Sequence, residues 1–300
     1  MQQVVIPVDV SVLFSHAILQ AIADERGVDL LHIKGPAVHE SLLDREPADD
    51  GSGEWRTIPR GSVDADVLVR PSHVDSFLAG MRSHGWELAY DFRDGSAFHH
   101  AATWVRDGTA HVDVHRHFPG MGADPERVFS ILWSDRQVIS LAGRDCQAPS
   151  VTAQRLVLLL HAVRGGQLLG RDHRMTWGEA THEERADVDA LAARVGATVA
   201  VAAGTGRIEA YRTDRQYALW KSLAGGESSL LRMWWARIRA APSATGAVRT
   251  GVALVLPNPR RMQTQLGHRP TRRDIASAYA ARLRQGVGEL RKLSSNRRGR

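Results

Sequence analysis

Residues 111–115 read His-Val-Asp-Val-His, and this alternation constrains the fold more than any other stretch of the chain. Side chains of a β-strand leave alternate faces, so His111, Asp113 and His115 share one face while Val112 and Val114 share the other. Two valines call for a core, and three ionisable groups on one face resist entering one. The segment therefore reads as a strand covered on one side only. Taken alone, its polar face fits the solvent side of a hairpin as well as the wall of a site.

A second strand, Val63 to Val69, carries Asp64 and Asp66 two residues apart, so both carboxylates leave the same face. Carboxylates held side by side repel one another and are costly to bury without a cation or a basic partner. A strand end exposing two acids to water explains this pair equally well. Taken together, Asp64, Asp66 and Asp113 supply three carboxylates from two strands, a set able to hold hard divalent cations through oxygen. A third element, His32-Ile33-Lys34-Gly35-Pro36, reads as a strand running into a helix N-terminus. Such a junction offers backbone N–H groups and the positive end of the helix dipole to a phosphate, or it is a plain strand-to-helix turn. Lys34 stands out because the chain has only three lysines, Lys34, Lys221 and Lys292, among 39 basic residues.

Around these elements the pattern predicts a helix capped by Ser11 and ended by Gly27, then a strand from Val28 to Lys34. A helix from Gly35-Pro36 to about Leu43 follows, then a loop over 44–61. After the Asp64–Asp66 strand, Pro71-Ser72 opens a helix that Gly85 closes. Strands follow over Trp86–Phe92, Ala97–Val105 and Ala110–Phe118, the last two joined by a hairpin at Asp107-Gly108. Beyond Ala148-Pro149-Ser150 the apolar period becomes helical, in Val151–Val163, Glu183–Val195, Arg207–Leu223, Ser228–Ala241 and Asp274–Leu290. The fold class predicted is α+β. A mixed sheet with flanking helices occupies residues 1–149, a helical domain 150–290, and a basic flexible tail 291–300.

The charge narrows the partners. Lys and Arg number 39 against 33 Asp and Glu, a net +6, but residues 261–300 hold 11 basic and 2 acidic side chains, which leaves the first 260 at −3. A nucleic-acid grip usually places basic residues on the folded surface, so nucleic acid is possible but not favoured. Apolar runs such as Leu156–Leu160 fall far short of a bilayer span. One cysteine, Cys146, and no basic region at the N-terminus fit a reducing cytoplasm. Nothing in the pattern bears on oligomeric state.

The order of these pieces resembles a known family. A strand ending Ile-Lys-Gly is followed by Arg60 four residues before the Asp64-Ala65-Asp66 strand, then by Gly85-Trp86 and by Val112-Asp113-Val114-His115. The chain is similar in this to the uncharacterised nucleotidyltransferase family of bacteria, within the DNA polymerase β-like nucleotidyltransferase superfamily. His161 and the late Tyr279 to Arg282 stretch extend the resemblance into the helical half. The superfamily's Gly-Ser pair opens a helix well before the first aspartate. Here Gly61-Ser62 directly precedes the strand, is set aside, and Lys34-Gly35 takes the equivalent place.

The resemblance implies transfer of a nucleoside monophosphate from ATP or another nucleoside triphosphate to an acceptor hydroxyl or phosphate, with release of pyrophosphate. Asp64, Asp66 and Asp113 would be catalytic and would bind Mg²⁺ or Mn²⁺. Lys34, Gly35 and Arg60 would hold the nucleotide. His111 and His115 would orient Asp113 or touch the acceptor, or serve the structure alone. Arg164, Arg171 and Arg174 could form a phosphate or acceptor edge, while His161 reads as a core histidine. The acceptor is a small molecule such as a natural product, a peptide or a protein. The alternatives are a catalytically silent nucleotide-binding or antitoxin-like interaction protein, and a nucleotidyltransferase acting on RNA ends.

Overall fold

In the computed structural model of the chain, residues 6–48, 54–93, 98–226, 229–241 and 243–255 are described, with shorter pieces between 262 and 284. The first helix, α1 (Val8–Arg26), begins four residues earlier than its sequence predicts. Ser11 is not its cap: Ser11 N–H already donates to Pro7 O at 2.9 Å, and Ser15 Oγ donates to Ser11 O at 2.8 Å. Gly27 ends the helix as expected, with φ 61° and its amide on the carbonyls of the last turn.

Strand β1 (Leu30–Ile33) leads to Lys34, and the helix predicted after Gly35 does not form. Two 3₁₀ turns stand there instead, Gly35–Ala37 and Glu40–Leu42, separated by an extended Val38. The His39 amide is satisfied from outside, by Gln154 Oε1 at 2.7 Å, rather than by a preceding helical turn. The predicted loop over 44–61 contains a two-stranded ribbon, β2 (Arg45–Pro47) against β3 (Trp55–Thr57), pinned by a Glu46–Arg56 ion pair. Residues 49–53 of that loop, and residues 94–97, which include the first residue of the predicted Ala97–Val105 strand, lie outside the described residues.

Strand β4 (Asp64–Val69), helix α2 (Val74–Ser83) and strands β5 (Glu87–Tyr90), β6 (Ala101–Val105) and β7 (His111–His115) follow in the predicted order. They form a five-stranded mixed sheet in the order β1-β4-β7-β6-β5. Only the β4–β7 pair is parallel in this sheet. Helices α1 and α2 cover one face, where Ala65, Val67, Val112 and Val114 are fully buried with Leu19 and Phe77. The alternation of the sequence is thus realised, with apolar side chains beneath the helices and ionisable ones on the opposite face.

The covered face also holds a polar chain. Gln20 donates to Asp24, so its Oε1 faces His32 Nε2 at 3.0 Å, and His32 Nδ1 in turn meets His16 Nδ1 at 2.8 Å. The Nδ1–Nδ1 contact holds one proton, so the two rings cannot both be charged. Burial pushes His16 down to about 4 and His32 well below the ordinary histidine value, and the two rings would repel if charged together.

Helix α3 (Pro125–Ser134) and the hairpin β8 (Gln137–Leu141) to β9 (Arg144–Ala148) were not foreseen. Asp124 caps α3 by accepting from Arg127 N–H, with Pro125 in its first turn. Ala142 and Gly143 both have positive φ, the backbone a tight two-residue hairpin needs. Helices α4 (Val151–Arg164) and α6 (His182–Val195) match their predicted spans, with a short α5 (Arg171–His173) between them.

The chain divides into two compact units, Met1–His161 with Leu169–Val201, and Ala162–Leu168 with Ala202–Arg300. The second unit is helical. It contains α8 (Tyr217–Ala224), where one long helix was predicted from Arg207; a 3₁₀ turn at Ile208–Tyr211 and the Arg212–Gln216 stretch interrupt it. Helices α9 (Leu230–Ala240) and α10 (Ala244–Val255) follow, preceded in the chain by α7 (Thr198–Gly204). The whole is an α+β fold, a mixed sheet with flanking helices followed by a helical region. Among the described residues no helix is long and apolar enough to cross a membrane.

Candidate active site

The open face of the sheet gathers the predicted residues by register. Asp64 stands opposite His111, Asp66 opposite Asp113 and Leu68 opposite His115 across the parallel β4–β7 pair. Partners in register share a face, so Asp64, Asp66, His111, Asp113 and His115 all lie on the side away from α1 and α2. Their exposure differs: Asp66 and His115 are buried at 4% and 1%, Asp64 and Asp113 are half-buried, and His111 is exposed.

Lys34 reaches this face through an unusual backbone. Alternation along β1 would place it with His32, beneath α1. With φ 61° and ψ −170°, a region that residues other than glycine rarely occupy, the chain turns over at Lys34. Its Nζ then lies 2.6 Å from Asp66 Oδ1, both side chains withdrawn from water. Gly35 continues the turn at φ 50°, and a Cβ there would lie 3.2 Å from Ser62 Cβ. The glycine is required by conformation and by space together. The helix N-terminus expected at Gly35 is absent, since only a three-residue 3₁₀ turn follows.

Asp66 is the electrostatic centre. Burial alone would raise its carboxyl, but Lys34, and His115 donating from Nε2 at 2.8 Å, outweigh it and hold the carboxyl well below the usual range. Asp64 shows the opposite balance: burial and the neighbouring Asp66 raise it, against the opposing pull of Lys34 and of Ser62. Ser62 Oγ is shared between Asp64 O at 2.7 Å and Asp64 Oδ1 at 3.0 Å. Asp113 accepts from Thr103 Oγ1 at 2.6 Å, a residue placed opposite it on β6.

Lys34, Asp64 and Asp66 line an open cleft of about 690 Å³ together with Arg60, Ser62 and His161. A second hollow of about 550 Å³ shares Val8 and Val63 with it and reaches Thr109 and His111. Arg60 faces the cleft while already engaged, its Nη2 and Nε at 2.8 and 3.2 Å from the two oxygens of Asp172. Arg171 and Arg174 do not form a free phosphate edge: both pair with Asp44, and Arg174 also with Glu179. His161, expected in the core, lies on the cleft wall.

Sequence reasoning missed Thr103, whose position opposite Asp113 depends on the β6–β7 register, and Asp172, which is 112 residues from Arg60. It also set aside Gly61-Ser62, which the structure places in the cleft beside Lys34. Among the described residues, Asp66, Asp113 and His115 can each offer one ligand atom within 4.8 Å of the others. Two carboxylates and an imidazole suit a divalent cation. The donor set fits a metal ion.

No protein-family model matches the chain, and no curated protein does. Among solved structures, ANT(2″)-Ia in complex with adenylyl-2″-tobramycin is 14% identical, covering 61% of this chain and 97% of its own, with a TM-score of 0.39. A solution structure of the antibiotic-resistance factor ANT(2″)-Ia is 15% identical over 62% of this chain and 93% of its own, with a TM-score of 0.39. The lincosamide antibiotic adenylyltransferase LnuA, lincomycin-bound, is 15% identical over 60% and 94%, with a TM-score of 0.33.

Proposed function

We propose that the chain is a metal-dependent nucleotidyltransferase that moves a nucleoside monophosphate from ATP or another nucleoside triphosphate onto a small-molecule acceptor. The observation that carries this reading is the Asp66–Asp113 register pair, with the Lys34 ammonium on Asp66 at the base of a cleft. A divalent cation, Mg²⁺ or Mn²⁺, held by these carboxylates would neutralise triphosphate charge and lower the pKa of the acceptor oxygen.

The chain's own residues supply the rest. Lys34 and Arg60 bring positive charge to a cleft that also carries Asp64 and Asp66, which suits a triphosphate arriving with its cation. The acceptor enters by the hollow beside His111, which meets the cleft at Val8 and Val63. Its oxygen attacks the α-phosphorus, the bond from that phosphorus to the bridging oxygen breaks, and pyrophosphate leaves. Asp113, steadied by Thr103, takes the acceptor's proton.

Asp113→Asn tests the reading with little structural cost, because the amide oxygen keeps the Thr103 bond. Pyrophosphate release should fall by on the order of 100-fold or more, and calorimetry should show weakened Mg²⁺-dependent ATP binding. Unchanged Mg²⁺-dependent ATP affinity would remove the site assignment.

A further inference from the structure

Three acids were the expected metal ligands, yet the donors that converge are Asp66, Asp113 and His115, with Asp64 outside the set and tied to Ser62. His115 is 1% exposed, and its Nε2 lies 2.8 Å from Asp66 Oδ1. Packing sets the ring's plane: it stacks on Phe118 with centroids 6.0 Å apart and tilts against His100 at 5.0 Å. This fixed ring turns Nε2 toward Asp66, one strand away from Asp113, and with its proton moved to Nδ1 the Nε2 atom can bind an ion shared with the two carboxylates.

We infer that His115 is a metal ligand, making a mixed nitrogen and oxygen centre that takes Mn²⁺ in preference to Mg²⁺. Mg²⁺ is a hard ion that favours all-oxygen surroundings, whereas a nitrogen ligand strengthens binding of first-row transition ions. The inference rests on the nucleotidyltransferase reading for the presence of a metal, and adds the ligand set and the preferred ion.

The test uses the full chain and MnCl₂ without nucleotide. Pulsed electron paramagnetic resonance of bound Mn²⁺ should show ¹⁴N modulation, replaced by a ¹⁵N pattern in protein labelled with ¹⁵N-histidine. The variant His115→Gln can still donate to Asp66 but offers no ring nitrogen. It should lose the modulation, and its ratio of Mn²⁺ to Mg²⁺ affinity should fall by about 10-fold or more. Bound Mn²⁺ without nitrogen modulation would overturn the inference and leave the nucleotidyltransferase reading standing. Modulation that persists in His115→Gln would assign the nitrogen elsewhere and overturn it equally. Absence of any Mn²⁺ binding at millimolar concentration would overturn both.

Discussion

Replacing Lys34 by Met removes the ammonium and keeps an unbranched stem of similar length. Lys34 and Asp66 are 9% and 4% exposed and meet at 2.6 Å, so the variant leaves a buried carboxylate with His115 as its remaining side-chain donor. Breaking a buried pair on one side costs about 3–5 kcal/mol, a large share of the 5–15 kcal/mol typical of a domain. The pH dependence has a defined sign. In the native chain the Asp66 carboxyl lies below its ordinary 3.8, so its contribution is full above that pH and is lost as pH falls through the depressed value. Without Lys34, burial acts against one fewer opposing charge and the carboxyl rises. The deficit of Lys34→Met is therefore largest near pH 7.5 and shrinks toward pH 5. Denaturant unfolding followed by hydrogen exchange on β4 and β7 peptides isolates the sheet unit from the helical one. A deficit below about 1 kcal/mol at pH 7.5, or one equal at both pH values, would refute the argument that Lys34 is the counterion of Asp66.

Gly35→Ala meets both a positive φ and the Ser62 side chain, so it should cost about 1–3 kcal/mol in unfolding experiments. Trp104→Ala empties the fully buried centre of the sheet core and should cost about 3–5 kcal/mol by the same measurement. His16 titrates near 4 when folded and near 6.5 when unfolded, so the unfolded chain binds the proton first and stability falls as pH drops from 6.5 to 4. The loss is on the order of 3 kcal/mol, and His16→Asn should flatten that slope in a pH series of denaturation midpoints. Cys146 is fully buried and its thiol is pushed up to about 11, so Ellman's reagent at pH 8 should label it only after unfolding.

The sheet face was legible because it is written in local periodicity: His111, Asp113 and His115 alternate with valines, and Asp64 and Asp66 flank a buried alanine. The centre of the site was not. Lys34 reaches Asp66 through a backbone reversal that its neighbours in sequence do not announce, and the alternation of β1 points it to the wrong side. The helix expected after Gly35 failed because proline and glycine mark a beginning but do not sustain a helix; Val38 is already extended. The β8–β9 hairpin escaped notice because Ala142, at positive φ, is an unusual residue for a tight turn. Arg60 looked free because its partner Asp172 lies in a segment read only as arginine-rich.

The parallel β4–β7 register carries a consequence for folding. If β7 slipped by one residue against β4, its side chains would exchange faces. His111, Asp113 and His115 would then face the apolar layer under α1 and α2, and Val112 and Val114 would face the carboxylates. The residues that make the candidate chemistry thereby proofread the pairing of the sheet's two central strands, since a misaligned sheet drives charge into hydrocarbon. Substituting the acids and histidines of β7 by apolar residues would remove that check, trading a unique strand alignment for several of similar energy.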